Sequence, residues 1–242
     1  VLEADLGVAK AAFSTRLGGV SEPPFESLNL GLLTDDDSEA VAENRRRVAA
    51  ALGFEPERVV FARQVHGTRL IEHPTEFRGS FGSVGDQKEP RNDPPEADGH
   101  VLREPGSAAL VFTADCLPVA VAGPRGIAML HAGWRGLAGG ILAAGVEAVG
   151  ATSAAIGPGI GPCCYEVGEE VLDAFSGLGE GVAAGRMLDL PEVARRQLAR
   201  AGVERVESAG LCTSCEAELF FSHRRDAGRT GRQGGIAWLE DR

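Results

Sequence analysis

Three runs of β-branched and apolar residues, Ala108 to Phe112, Leu117 to Ala122 and Ile127 to Leu130, follow one another with only four residues between each pair. Parallel neighbours need a crossover of a dozen or more residues, so links this short predict an antiparallel meander. Further strand-like runs fall at Val59-Val60-Phe61, Ala154-Ala155-Ile156 and Ile236-Ala237-Trp238-Leu239. Helical patterns cover Ser38 to Leu52, Leu137 to Val149, Glu166 to Phe175 and Pro191 to Ala201, the last with proline in its first turn. With 242 residues, 43% of them hydrophobic, the chain can bury a substantial core. The expected fold is α/β (mixed α+β): a single layered domain over residues 1–242, with mixed β-sheets flanked by helices.

Charge narrows the partners. Thirty-five acidic residues against 24 basic ones give a net charge of -11, which argues against broad attraction to nucleic acid or an anionic membrane. Small molecules become the expected partners. The longest uncharged stretch, Ala148 to Tyr165, is broken by Gly150, Gly157, Pro158, Gly159, Gly161 and Pro162, so no membrane span is expected. The five cysteines are an odd number, and no basic segment followed by an apolar stretch opens the chain, so a reducing cytoplasm is the expected setting. Pro74 to Glu96, rich in glycine, proline and polar residues, reads as a long surface loop.

His66 in Gln-Val-His-Gly, Cys116 in Thr-Ala-Asp-Cys and His131 in His-Ala-Gly-Trp-Arg-Gly are the residues most suited to chemistry. Two imidazoles and a thiolate suit zinc, and three protein ligands leave the fourth tetrahedral position open, as catalytic sites require. Taken singly, each has a structural explanation, and separations of 50 and 15 residues match no compact metal motif. The meander brings Cys116 and His131 to adjacent strand ends, Gly67 and Gly133 permit close approach, and Asp115 could orient a ligand or a polar substrate group.

The same residues admit other readings. Cys116 could be a hydrolase nucleophile with His131 as its base. A His₂Cys set also suits copper, but five histidines, no His-x-His pair and only Met129 and Met187 as axial candidates make a copper oxidase the poorer reading. No histidine has Glu two residues later and no Pro-Cys-x-x-Cys occurs, so the common zinc nucleoside deaminase pattern is lacking. A zinc-containing binding protein would instead present its Arg224 to Arg232 segment to a partner. Cys163-Cys164 and Cys212-x-x-Cys215 look like two halves of a four-cysteine metal site. Adjacent cysteines are poor partners for one tetrahedral ion, so a buried or helix N-terminal structural role is expected for them. His73 and His100 read as surface or satisfied histidines.

Seven ordered motifs bring in a family resemblance. They are Ser14-Thr-Arg-Leu-Gly-Gly-Val-Ser21, Ser27-Leu-Asn-Leu-Gly31, Gln64-Val-His-Gly67, Thr113-Ala-Asp-Cys116, His131-Ala-Gly-Trp-Arg-Gly136, Ile156-Gly-Pro158 and Phe220-Phe-Ser-His-Arg-Arg225. Between Phe13 and Trp238 the chain resembles the YfiH-like purine nucleoside phosphorylase family, also called laccase-domain or multicopper polyphenol oxidoreductase proteins. The resemblance implies zinc on His66, Cys116 and His131. It also implies phosphorolysis of adenosine, inosine, guanosine and methylthioadenosine to base and ribose 1-phosphate, with adenosine deamination. Purine nucleosides and phosphate are then the partners, with no oligomeric state assigned. Phosphate needs cations, and the expected ones are Arg16 in a Gly-rich turn, Arg135 beside His131, and Arg45. Arg45 and Asn44 share a helix face with Val41, Val48 and Leu52, so they are expected to point inward. His100 stands where the family more often has an apolar residue.

Overall fold

The computed structural model describes residues 1–31, 33–73 and 94–240; most of the expected surface loop lies outside them. Two sheets stack face to face. The first has the order β1 (Leu2–Asp5), β2 (Ala9–Phe13), β13 (Gln233–Leu239), β6 (Ala108–Thr113) and β3 (Val59–Val60). The second runs β12 (Arg205–Ser208), β9 (Ser153–Ile156), β7 (Leu117–Gly123), β8 (Gly126–Ala132), β5 (Gly99–Leu102) and β4 (Leu70–His73). Both mix parallel and antiparallel pairs. A third, two-stranded ladder joins β10 (Ala183–Ala184) to β11 (Met187–Leu188).

The apolar runs do not alternate because both faces of each central strand are covered. On β7, Val119 and Val121 face a core shared with α3 (Ile141–Val149) and α5 (Leu190–Arg200), while Ala120 and Ala122 face the opposite sheet. On β8, Ala128 and Leu130 take the helix side and Ile127 and Met129 the sheet side. Alanines dominate between the sheets, where Ala9, Ala11, Ala109 and Ala237 meet Ala120, Ala122 and Ala155. On the outer face of the first sheet, α1 (Ser38–Ala51) packs Val48 and Ala49 against Val59, Leu110 and Ile236. The result is a four-layer α/β/β/α stack.

The expected meander is corrected in one place. β7 and β8 form the hairpin, with Leu117 opposite Ala132 and Gly123 opposite Gly126. β6, however, pairs with β13 and β3 in the other sheet. Stacked sheets lie about 10 Å apart and four extended residues reach about 13 Å, so a link of this length can cross between sheets as readily as it can turn within one. The crossing is made with Asp115 at φ 88°, which bends the chain away from β6.

The helices depart from expectation by a turn or less, save one. Asp37 caps α1 and Asp189 caps α5, each side chain accepting an amide of the first turn. The pattern over Leu137 to Val149 is split by Gly140, at φ 91°, into α2 (Trp134–Gly139) and α3. Glu166 is drawn into a bridge with Met187, so α4 (Glu169–Phe175) starts three residues late. The strands not anticipated, β1, β2, β4, β5, β10, β11 and β12, are short, and β1 and β12 carry charged residues at exposed edges. No helix among the described residues is long and apolar enough to cross a membrane.

His73 and His100 form a buried imidazole pair across β4 and β5, with His73 Nε2 and His100 Nδ1 2.9 Å apart. His100 Nε2 has no partner among the described residues, so the less costly arrangement has His100 Nδ1 donating to His73 and Nε2 unprotonated. Burial lowers the His73 pKa to about 4 and, with the His73 charge adding to it, that of His100 to about 3. The unfolded chain therefore takes up protons below about pH 6.5 that the folded chain refuses, so the stability present above that pH is lost as pH falls toward 4 and 3. At pH 5 the loss is about 2 kcal/mol per imidazole. Urea unfolding at pH 7 and pH 5 should show a flatter dependence in a His73→Leu, His100→Leu double variant; an unchanged difference would remove the pair from the acid response.

Candidate metal centre

The site forms where the two sheets meet at one end. Gln64 holds its loop to the first sheet: its Nε2 donates to the Phe112 carbonyl at 2.8 Å, and its Oε1 accepts from the Phe112 amide at 2.7 Å. The other side of the loop is held by Asp98, at the start of β5. Its carboxylate accepts from the amides of His66 at 2.9 Å, Gly67 at 2.7 Å and Val65 at 3.2 Å. Between these anchors His66 sits at φ 59°, a left-handed conformation costly for a non-glycine residue and one that here supports its placement. Cys116 directly precedes β7 and His131 lies near the end of β8, so the hairpin register carries them to one edge.

Ligand atoms of His66, Cys116 and His131 lie within 4.8 Å of one another. The imidazoles meet edge to face, with ring centroids 4.8 Å apart and planes at 74°. Asp98 Oδ1 accepts from His131 Nδ1 at 2.8 Å, which leaves Nε2 for the centre and fixes the ring. Burial by itself would raise the Asp98 pKa; the bonds from His131, Gly67 and Val65 outweigh it and keep the carboxylate ionised. Burial would also raise the Cys116 thiol, yet His131 and His66 bring it to about 6. His131 shows the reciprocal effect: burial lowers its pKa, but Cys116 and Asp98 carry it to about 9. A thiolate held between two imidazoles, one backed by a carboxylate, is the form in which cysteine binds a metal.

Gly133 shows that the space among these donors is kept open. A Cβ there would lie 2.9 Å from Cys116 Sγ and 3.1 Å from His66 Cδ2, although its φ of -75° is open to any residue. The glycine is required for room. Donor chemistry, the orienting carboxylate and this cradle together fit a tetrahedral zinc with one open position.

The expected substrate residues separate into two groups. Asp115 is buried and its carboxylate accepts from Thr213 Oγ1 and from the Arg224 amide, both at 2.6 Å, so it clamps two loops beside the centre. Arg135 stacks over Trp134, its guanidinium 4.4 Å from the ring centroid. Arg16 and Arg45 are each anchored by backbone carbonyls and aromatic rings. Arg16 donates to the carbonyls of Glu26 and Ala217 and lies over Phe221. Arg45 points inward as expected, where its Nε and Nη2 donate to the Leu30 carbonyl and its guanidinium lies 5.5 Å from the ring centroids of both Phe61 and Phe112. Asn44 likewise knits Val20, Ser21, Ser27 and Asn29 together.

Four residues around the centre escaped the motif reading as site residues: Asp98, Tyr165, Arg224 and Arg232. Burial pushes the Tyr165 pKa up to about 12, and the charges of Cys116, Arg224, Asp115 and Arg135 all act on it. Arg224 lies 5.3 Å from the centroid of that ring. Burial lowers the Arg232 pKa, while the negative charges of Cys116 and Asp115 oppose that shift. Only Arg224 carries a motif signal, and two of the others lie at strand starts. Arg224 lies within the Phe-Phe-Ser-His-Arg-Arg run, Arg232 directly precedes β13, and Asp98 directly precedes β5.

Residues 10–240 match the family model described as multi-copper polyphenol oxidoreductase laccase. The purine nucleoside phosphorylase YfiH of Escherichia coli is 39% identical, over 96% of this chain and 94% of the relative. The chain belongs to the YfiH-like, or laccase-domain, family. A purine nucleoside phosphorylase of Pseudomonas aeruginosa shows the same identity, 39%, with 96% of this chain and 94% of the relative covered. Among solved structures, YlmD from Geobacillus stearothermophilus superposes with a TM-score of 0.86 at 37% identity, covering 98% of this chain and 93% of that one. The mixed α+β architecture of this laccase-domain chain is thus shared with its structural neighbours.

Proposed function

We propose that this laccase-domain protein is a zinc-dependent purine nucleoside phosphorylase that also deaminates adenosine. The observation carrying the reading is the convergence of His66, Cys116 and His131 about the cradle left by Gly133, bordered by Arg135, Arg224 and Arg232. The names of the relatives support nucleoside phosphorolysis. Adenosine, inosine, guanosine and methylthioadenosine are the proposed substrates.

In phosphorolysis the bond from C1′ to the purine nitrogen breaks, a phosphate oxygen bonds to C1′, and the departing base gains a proton. Zinc, when bound, would supply Lewis-acid polarisation at the open position. The chain's own groups do the rest. Arg232 and Arg224 supply fixed positive charge beside the centre, where a phosphate anion can be held against the sugar. Tyr165 keeps its proton at neutral pH and can donate a hydrogen bond to charge developing on the base. Asp98 keeps His131 in one orientation throughout.

Cys116, His131 and Asp98 also line up as nucleophile, base and orienting carboxylate, the arrangement of a cysteine hydrolase. Such a triad needs one imidazole, whereas here a second, that of His66, also lies within 4.8 Å of the same sulfur. That second imidazole favours the metal reading. Adenosine with phosphate should yield adenine and ribose 1-phosphate by chromatography, and adenosine alone should yield inosine. Release of adenine at the same rate without phosphate would overturn phosphorolysis. Copper rather than zinc in the purified protein would overturn the choice of metal.

A further inference from the structure

Four of the five cysteines stand apart from Cys116. Cys163 and Cys164 lie on the turn after Gly161, and Cys212 and Cys215 on the turn following β12. A parallel bridge between Gly159 and Cys212 aligns the two segments, with the Thr213 amide donating to the Gly159 carbonyl at 3.0 Å. All four sulfurs lie within 4.8 Å of one another, with Cys215 Sγ 3.3 Å from Cys163 Sγ and 3.5 Å from Cys164 Sγ. Four thiolates bound to one zinc at about 2.3 Å stand about 3.8 Å apart, so the cluster has the dimensions of such a shell. The adjacency of Cys163 and Cys164, which counted against a shared ion in the sequence, does not keep their sulfurs apart. Cys163 and Cys215 are exposed, which gives an ion a path in.

One of the four sulfurs has a backbone donor aimed at it. Cys212 Sγ accepts the Gly161 amide at 3.2 Å. Backbone donors stabilise a negative sulfur and thereby the form that binds metal. Gly161 again keeps room: a Cβ there would come within 3.3 Å of Cys212 Cβ and 3.4 Å of Cys163 Sγ. A disulfide would select one pair, whereas Cys215 is shared almost equally between Cys163 and Cys164.

We propose that Cys163, Cys164, Cys212 and Cys215 hold a second zinc ion, separate from the centre at His66, Cys116 and His131. With four protein ligands the shell is closed, so this ion is structural. It fastens the wall of the first site. Cys164 directly precedes Tyr165, and Thr213, between the two ligands of the second turn, donates to Asp115.

Zinc content of the full chain, purified reduced, tests the proposal without reference to activity. About two zinc per chain are expected in the natural protein, about one in Cys116→Ala and about one in Cys215→Ser. Cobalt(II) added to Cys116→Ala after its zinc has been stripped with a chelator should give the intense thiolate-to-cobalt charge transfer of a four-sulfur tetrahedral site, and that band should vanish in the Cys116→Ala, Cys215→Ser double variant treated in the same way. A metal-free Cys116→Ala protein, or a disulfide among the four cysteines found by mass spectrometry in the zinc-loaded chain, would overturn it. Should these variants fail to fold, X-ray absorption at the zinc edge of the natural protein decides. Several sulfurs per zinc are expected, and about one sulfur per zinc would refute the second site.

Discussion

Replacing Cys116 with alanine is expected to empty the first centre and to slow phosphorolysis roughly a thousandfold or more, since several kcal/mol of charge stabilisation go with the ion. His66→Ala and His131→Ala should behave alike, because two remaining donors make a poor zinc site. The fold should survive all three. His66 is exposed and Cys116 half-buried, and the sheets are held by the alanine and valine layers behind them. Initial rates with adenosine and phosphate, measured beside metal content and circular dichroism, check the result. If all three variants kept their full metal content, the ligand assignment would fall.

Asp98 is expected to produce the second large effect, through position alone. In Asp98→Ala the amides of Val65, His66 and Gly67 and the Nδ1 of His131 lose their acceptor together, at a cost of about 3–5 kcal/mol. Asp98→Asn keeps the shape but loses the charge, and its amide can present a donor where His131 Nδ1–H needs an acceptor. Zinc affinity is therefore expected to fall roughly 10- to 100-fold in the asparagine variant, the usual penalty for losing an outer-shell partner. Competition with a chromophoric chelator measures it. Unchanged zinc affinity in Asp98→Asn would show that the carboxylate only holds the loop.

Arg45 illustrates where reading along the chain stops. Arg45 points inward from its helix, as the periodicity of its face predicts. What it meets there depends on elements far along the chain, and it meets the Leu30 carbonyl and two aromatic rings. Arg232 shows the converse. It lies in an Arg-rich segment that suggested a surface, yet it is largely buried and within reach of the charges of Cys116 and Asp115, because the strand following it, β13, lies in the middle of the first sheet.

The sequence by itself determined the pieces: the apolar runs, the capped helices, the β7–β8 hairpin and the three residues able to form a His₂Cys set. These follow from local chemistry and from spacing of a few residues, and the motifs around the triplet are enough to place the family. Only the tertiary structure decided that β6 leaves for the opposite sheet and that His66 is hung between Gln64 and Asp98. It alone closed Cys163, Cys164, Cys212 and Cys215 into one cluster. A four-residue link has the same composition whether it turns or crosses, and sulfurs some 50 residues apart meet only after two sheets have stacked.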